Sequence, residues 1–141
     1  MKLKYKKLVP DAIIPTKGTP GSAGYDLYAV KDFDLYPDQV FKVGTGISFE
    51  IPLNHKVSIQ PRGSMASRGI IICNTPGTID SDYRGEIFVL LGKFTSGIYS
   101  IKKGDKIAQM EVIQTSNIEF EEVQELSKTE RGEGGFGSTG R

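Results

Sequence analysis

Short alternations of apolar and polar residues recur along the chain, and turn-forming residues separate them. Pro, Gly, Asn and Asp interrupt the pattern about every ten residues, a spacing typical of short strands joined by tight turns. No stretch has the apolar period of an amphipathic helix of three turns, and PRGSMASRGI at 61–70 is long enough only for a turn or two. The pattern therefore predicts an all-β sandwich or barrel.

The strands predicted from this pattern are, in chain order, 2–7, 23–29, 33–36, 40–51, 56–60, 70–73, 78–79, 85–94, 98–101, 106–114 and 117–123. Within 40–51, Gly44 and Gly46 mark expected bulges or bends, because glycine inside a strand often has that role. With 141 residues, the chain is expected to form a single domain with a substantial core.

The charge balance gives no reason to expect a nucleic-acid or membrane partner. Lys and Arg number 18 against 17 Asp and Glu, for a net charge of +1. The chain contains no long apolar run, and its start, MKLKYKKL, lacks the apolar region of a signal peptide. The single cysteine, Cys73, excludes an internal disulfide, and we expect a cytoplasmic location. Since Cys73 ends an apolar run, we expect it to be buried and inert.

The composition changes near residue 127. The last segment, KTERGEGGFGSTGR, contains one large apolar side chain, Phe136, among five glycines, and it cannot build a core. We therefore expect an all-β domain over 1–126 and a flexible C-terminal arm over 127–141. The arm is either a disordered tail or a ligand clamp. In a clamp, glycine N–H groups and Arg131 would bind phosphate while Phe136 stacks on a base.

Candidate chemistry centres on NTPGTIDSDYRGEI at 74–87, where acids follow a tight turn and a short strand. One histidine, His55, and one cysteine make a catalytic triad or a zinc site improbable. The remaining candidates are carboxylates, arginines beside glycines and polar residues at strand ends: Asp26, Asp80, Asp82, Glu86, Arg62, Arg84, Arg131, Ser64 and Gln109. Carboxylates hold hydrated Mg²⁺ and activate water, while arginines and glycine amides bind phosphate. This set suggests metal-assisted attack of water on a phosphoanhydride.

Five segments of the chain resemble, in order, the five motifs of the homotrimeric-type dUTPases. They are AGYDLYA at 23–29, PRGSMA at 61–66, NTPGTIDSDYRGEI at 74–87, GDKIAQM at 104–110 and RGEGGFGSTG at 131–140. The resemblance implies a jelly-roll-like β-barrel that forms a homotrimer, with each active site built from three chains. It also implies Mg²⁺-dependent hydrolysis of dUTP to dUMP and pyrophosphate, which limits uracil incorporation into DNA and supplies dUMP for dTMP synthesis.

The resemblance assigns roles in the third motif. Asp80 matches the catalytic acid that orients and deprotonates the water attacking the α-phosphorus. Tyr83 matches the residue that packs under the deoxyribose and leaves no room for a 2′-hydroxyl. The uracil-reading edge corresponds to Asn74, Gly77, Thr78 and Ile79.

The other motifs carry the expected metal and phosphate contacts. Asp26 matches the acid that reaches Mg²⁺ through a coordinated water. Phosphate contacts correspond to Arg62, Gly63, Ser64, Gln109, Arg131, Gly137, Ser138 and Thr139. Phe136 would cap the uracil when the arm closes over a neighbouring subunit's site.

One position departs from the family pattern. Gly63 stands where the second motif usually has a serine whose hydroxyl contacts the triphosphate, so either Ser64 replaces it or the contact is lost. This departure leaves open a dUTP-binding regulatory protein with impaired turnover. A second alternative is an enzyme related to dCTP deaminase, which shares the fold, although Tyr83 and the glycine-rich fifth motif favour the triphosphatase.

Overall fold

The structure, a computed structural model, describes residues 1–140. Over that range the chain forms eleven β-strands and one short helix. The strands are β1 (Lys4–Lys7), β2 (Tyr25–Tyr28), β3 (Phe33–Leu35), β4 (Val40–Gly44), β5 (Ile47–Glu50), β6 (His55–Gln60), β7 (Ile70–Ile72), β8 (Gly77–Ile79), β9 (Phe88–Lys93), β10 (Tyr99–Ile101) and β11 (Lys106–Gln114). The helix α1 (Gly63–Ala66) lies between β6 and β7. The predicted all-β class is confirmed.

The strands form small antiparallel sheets. The largest has the order β2-β11-β6-β8, and a second has the order β4-β9-β7. Two further pairs join β1 to β5 and β10 to β3. The four-stranded sheet carries five of the predicted functional residues, so its register decides which of these meet: Asp26, Gly77, Thr78, Ile79 and Gln109.

Alternation along the strands separates the core from the surface. In β2, Leu27 is buried while its neighbours Asp26 and Tyr28 are only half-buried. Ile47, Val57 and Leu91 are fully buried in the same core. Because successive side chains of a strand point to opposite faces, a buried Leu27 directs Asp26 to the other face of the sheet.

A sharp bend at Gly46 separates β4 from β5, which confirms one of the two predicted interruptions. Its φ is +71°, and an added Cβ would lie 2.9–3.0 Å from the side chains of Val9, Ala12 and Val30. Both the backbone angle and the packing therefore require glycine there. Gly44 is the last residue of β4 rather than a bulge.

Two expectations are wrong. The strand predicted at 117–123 does not form, and no strand or helix follows Gln114 within the described residues. Cys73 is exposed, because the alternation along β7, with Ile70 and Ile72 buried and Ile71 exposed, puts the next residue on the outer side. No helix within residues 1–140 has the length and apolar character needed to cross a bilayer.

Candidate active site

Asp26 lies between two cations at one end of the four-stranded sheet. Its Oδ1 accepts a hydrogen bond from Arg62 Nε at 3.0 Å, and its Oδ2 lies 2.9 Å from Lys106 Nζ. The Asp26 side chain is 14% exposed and that of Arg62 is 27% exposed. Charges shielded to this extent interact more strongly than a surface pair. We call Asp26, Arg62, Lys106, Ser64 and Gln109 the Asp26 cluster.

The register of the sheet assembles this cluster. On β11, Gln109 lies opposite Asp26 of β2 on one side and opposite Gln60 of β6 on the other. Gln109 Nε2 donates to the carbonyl of Pro61 at 2.9 Å, which ties β11 to the segment that carries Arg62. Residues from three of the predicted motifs therefore converge within one chain.

The helix α1 presents the second motif beside this cluster. Its Met65 is buried, which turns Gly63 and Ser64 outward. Arg62 precedes the helix, and its Nη1 donates to Ser64 Oγ at 3.4 Å. An ideal Cβ on Gly63 would have no atom within 4 Å, so neither packing nor a clash explains the glycine.

A cavity of about 330 Å³ opens beside the Asp26 cluster, between α1 and the turn before β11. Arg62, Ser64 and Lys106 line it together with Arg68 and Tyr99. Sequence reasoning missed Lys106, Arg68 and Tyr99 as site residues. Lys106 could have been identified from the sequence, because it lies inside the fourth motif. The positions of Arg68 and Tyr99 depend on tertiary packing.

The opposite edge of the same sheet carries the third motif. The strand β8 (Gly77–Ile79) pairs antiparallel with β6, and Thr78 lies opposite Ser58. An ideal Cβ on Gly77 would be 3.6 Å from Asn74 Nδ2, so the Asn74 amide lies beside the glycine backbone. An amide next to an open strand edge offers donors and acceptors to a planar ligand. We call Asn74, β8, Asp80 and Tyr83 the β8 edge.

A tight turn orders Asp80 and Tyr83. The carbonyl of Asp80 accepts the N–H of Tyr83 at 3.2 Å, and the Tyr83 hydroxyl donates to the carbonyl of Glu86 at 2.9 Å. The Tyr83 ring covers Gly85, where an added Cβ would lie 2.5 Å from the hydroxyl oxygen. The ring is thus fixed, while Asp80 is exposed.

The two groups do not meet within one chain. The strand β8 runs antiparallel to β6, and Ile79 lies opposite Val57. The next residue, Asp80, therefore lies near the level of Lys56 and away from Gln60. That offset is about 13 Å along the strand, and β2 and β8 lie about 14 Å apart across the sheet. No hydrogen bond or ion pair among residues 1–140 joins Asp80, Asn74 or Tyr83 to the Asp26 cluster.

The arm residues lie apart from both groups. Arg131 Nε donates to the carbonyl of Gly134 at 2.8 Å, and the Ser138 N–H donates to Gly135 at 3.1 Å. Phe136 is fully exposed with φ +50°, next to Gly137 with φ +89°. Thr139 is also exposed, and Arg141 lies outside the described residues. Within the described residues, the arm therefore forms local turns and makes no hydrogen bond to the predicted site of its own chain.

The chain offers a divalent metal few ligands of its own. No group of three or more His, Cys, Asp or Glu side chains within residues 1–140 is arranged to hold an ion. Mg²⁺ keeps several waters and commonly binds through one or two carboxylates plus substrate phosphates. Asp26 fits that donor set, because each carboxylate oxygen accepts more than one hydrogen bond and can accept one from a metal-coordinated water beside that from Arg62 or Lys106.

The chain is similar to known dUTPases over its whole length. The sequence profile of the dUTPase family matches residues 10–140. A deoxyuridine 5′-triphosphate nucleotidohydrolase from Nautilia profundicola is 49% identical over 142 residues, covering 100% of both chains. The protein of the same name from Helicobacter hepaticus is 47% identical over 141 residues, covering 99% of this chain and 89% of its own.

Solved structures agree with this similarity. The dUTPase of Staphylococcus bacteriophage 80alpha, solved with dUPNHPP, has a TM-score of 0.88 at 26% identity and covers 99% of both chains. The likeness extends over the sheets and the segment after β11. The jelly-roll-type fold expected from the five motifs is therefore confirmed.

Proposed function

The chain belongs to the dUTPase family, and on that premise we propose that it hydrolyses dUTP to dUMP and pyrophosphate. The observation that carries the proposal is a match over residues 10–140 in a chain whose sheet brings Asp26, Arg62 and Gln109 together. A shielded carboxylate held between two cations, beside an open cavity, suits a polyphosphate with its counterion. The reducing compartment expected from the single cysteine agrees with a cytoplasmic enzyme.

Asp80 is the proposed catalytic base. It takes a proton from a water whose oxygen forms a bond to the α-phosphorus, while the bond from that phosphorus to the bridging oxygen breaks and pyrophosphate leaves. Aspartate is a weak base, so most of the rate must come from positioning and from neutralising the phosphate charge. The exposure of Asp80 leaves its carboxylate accessible to water and substrate.

The Asp26 cluster and α1 supply the phosphate contacts. Arg62 would donate to phosphate oxygens together with the Ser64 hydroxyl, the Gly63 N–H and the Gln109 amide. Asp26 would hold Mg²⁺ through water, and the bound ion would neutralise charge on the triphosphate. The register between β2, β11 and β6 supports this arrangement, because it sets Gln109 beside Asp26 and within reach of the Pro61 carbonyl next to Arg62.

The β8 edge would select the nucleoside. Asn74 and the backbone of Gly77, Thr78 and Ile79 would pair with uracil, and a mismatched cytosine would leave polar groups unpaired. The fixed ring of Tyr83 would lie under the deoxyribose and exclude a 2′-hydroxyl by contact.

A homotrimer would complete the site. Within one chain the Asp26 cluster and the β8 edge are separated, and the arm contacts neither through a hydrogen bond. Three copies around an axis would let one chain supply the cluster, another the β8 edge and another the arm. The arm residues Arg131, Phe136, Gly137, Ser138 and Thr139 would then close over a neighbour's nucleotide.

Pyrophosphate release tests the proposal directly. The chain is incubated with dUTP, dCTP, dTTP or UTP, each with and without Mg²⁺, and Asp80→Asn serves as the catalytic control. We expect release from dUTP with Mg²⁺, at least about a hundredfold less from the other nucleotides, and a loss of similar size in Asp80→Asn. Tight binding of dUTP without any release would instead support a nucleotide-binding protein, the alternative that Gly63 favours.

A further inference from the structure

Arg68 is an exposed arginine at the cavity beside α1, and none of the roles above involves it. Its Nη1 donates to the carbonyl of Ser64 at 3.0 Å, and its guanidinium carbon lies 5.6 Å from the centre of the Tyr99 ring. Both residues line the same cavity as Arg62. Arg68 and Arg62 therefore approach Ser64 from separate positions, one at its carbonyl and the other at its hydroxyl.

Charge distinguishes the two arginines. Arg62 shares Asp26 with Lys106, so much of its charge is balanced by a carboxylate. Arg68 forms no salt bridge within residues 1–140, and its contacts are a carbonyl and an aromatic ring. A guanidinium has five N–H donors, so Arg68 keeps donors free for an oxyanion.

A buried lysine, acting through Thr95, holds the backbone at Arg68. Lys93 is 7% exposed, and its ammonium donates to Thr95 Oγ1 at 2.8 Å and to the carbonyls of Thr95 and Ser96 at 2.7 and 2.6 Å. Thr95 Oγ1 in turn donates to the carbonyl of Arg68 at 2.8 Å. A buried cation without a carboxylate is unfavourable unless its donors are satisfied, as they are here.

Gly69 adds a second constraint at the same point. Its φ is +75°, and an added Cβ would lie 2.3 Å from Thr95 Cγ2. The turn from Arg68 to Gly69 therefore has one backbone conformation and lies directly against Thr95. The origin of the Arg68 side chain is fixed rather than mobile.

From this geometry we propose that Arg68 is an additional polyphosphate-binding residue that contacts the phosphates beyond the scissile bond. The inference rests on the proposed function, since it assumes that the triphosphate lies at Ser64. The α-phosphorus must stay accessible to the attacking water and to Asp80. Arg68, Tyr99 and Gly104 line the same cavity as Ser64, and this cavity would receive the pyrophosphate portion. Arg68 thus stabilises the leaving group.

Ligand binding separates this role from a structural one. Arg68→Met removes the charge but keeps an unbranched stem on Tyr99, and Arg68→Lys keeps the charge without the planar fork. The control is Lys42→Met, because Lys42 lies 4.1 Å from the centre of the Phe88 ring and also makes no salt bridge within the described residues. Dissociation constants for pyrophosphate, dUMP and a non-hydrolysable dUTP analogue are measured with Mg²⁺ by calorimetry.

We expect Arg68→Met to raise the dissociation constants of pyrophosphate and the dUTP analogue about tenfold and that of dUMP less than about twofold. The constants of Arg68→Lys should lie between those of wild type and Arg68→Met. Lys42→Met should match wild type with all three ligands. Equal losses for dUMP and pyrophosphate, or no loss for either, would overturn the inference. If wild type itself releases no pyrophosphate from dUTP, the proposed function fails instead, and the two failures are distinct.

Discussion

Gly63 is the residue at which the second motif departs from the pattern expected from the resemblance, and packing does not require a glycine there. Its φ lies outside the left-handed region, and no atom lies within 4 Å of an added Cβ. A serine therefore fits at this position without strain. The neighbouring Ser64 hydroxyl is already engaged by Arg62 at 3.4 Å, a long hydrogen bond that a phosphate can displace.

We predict that Gly63→Ser raises kcat for dUTP about tenfold, because a second hydroxyl beside Ser64 gives the developing phosphate charge a further donor. KM should change less than about twofold if the donor acts mainly in the transition state. Steady-state pyrophosphate release at saturating dUTP and Mg²⁺ measures both constants.

The matched control for this change is Gly21→Ser. Gly21 also has open space around an added Cβ and a φ outside the left-handed region, but it lies in the loop before β2. Its kcat should equal that of wild type. An unchanged kcat in Gly63→Ser would mean that Ser64 already supplies the contact.

At the residue scale, the motifs predicted Asp26, Arg62 and Gln109, and the sheet brings these three together. Lys106 and Arg68 were not predicted, because their place at the candidate site depends on which side chains the fold brings next to them. Asp26 and Lys106 are far apart in sequence and meet only through the pairing of β2 with β11. A single sequence carries no direct signal of such a pairing.

At the scale of elements, the turn from α1 to β7 depends on a loop that follows β9. Lys93 and Thr95 hold that turn through a chain of hydrogen bonds that ends at the carbonyl of Arg68. The N–H of Phe94 also donates to the carbonyl of Gly69 at 3.1 Å. The turn that follows the second motif is therefore held by residues that belong to none of the motifs.

We predict that Thr95→Val lowers the free energy of unfolding by about 1.5 kcal/mol, because the Thr95 hydroxyl both accepts from a buried ammonium and donates to a carbonyl. Urea unfolding followed by circular dichroism measures the change. Thr115→Val is the control, since its side chain makes no hydrogen bond within residues 1–140 and should cost less than about 0.5 kcal/mol. Equal stability of the two variants would show that the Lys93 arrangement does not depend on this hydroxyl.

Element prediction succeeded at 106–114 and failed at 117–123, although both segments alternate. The alternation at 106–114 predicted β11, and that strand forms between β2 and β6. The equally alternating segment at 117–123 has no partner strand and stays outside every sheet. Alternation reports that a segment can pair, but not whether a free edge is within reach.

At the scale of the whole molecule, the proposed sharing of the site between neighbouring chains leads to a mixing experiment. A chain cut after Lys128 lacks Arg131 and Phe136 but keeps Asp80, whereas an Asp80→Asn chain keeps the arm. Each should be inactive alone. Mixed in equal amounts, they should recover about a quarter of wild-type activity, because each site then draws two independent parts, each intact half the time.

Refolding the two chains together and assaying pyrophosphate release measures this recovery. The control replaces the Asp80→Asn chain with one that carries the same substitution and lacks the arm, and it should give no activity. Verified mixed trimers that stay inactive would show that the arm and Asp80 act from the same chain.

The open space around Gly63 also has an evolutionary consequence. Codons for glycine and serine can differ by a single base, and no atom lies within 4 Å of the Cβ that a serine would add. A lineage can therefore exchange the two residues repeatedly without compensating substitutions and without passing through an unstable intermediate. On the prediction above, an exchange at this position changes the speed of dUTP removal and leaves folding unchanged.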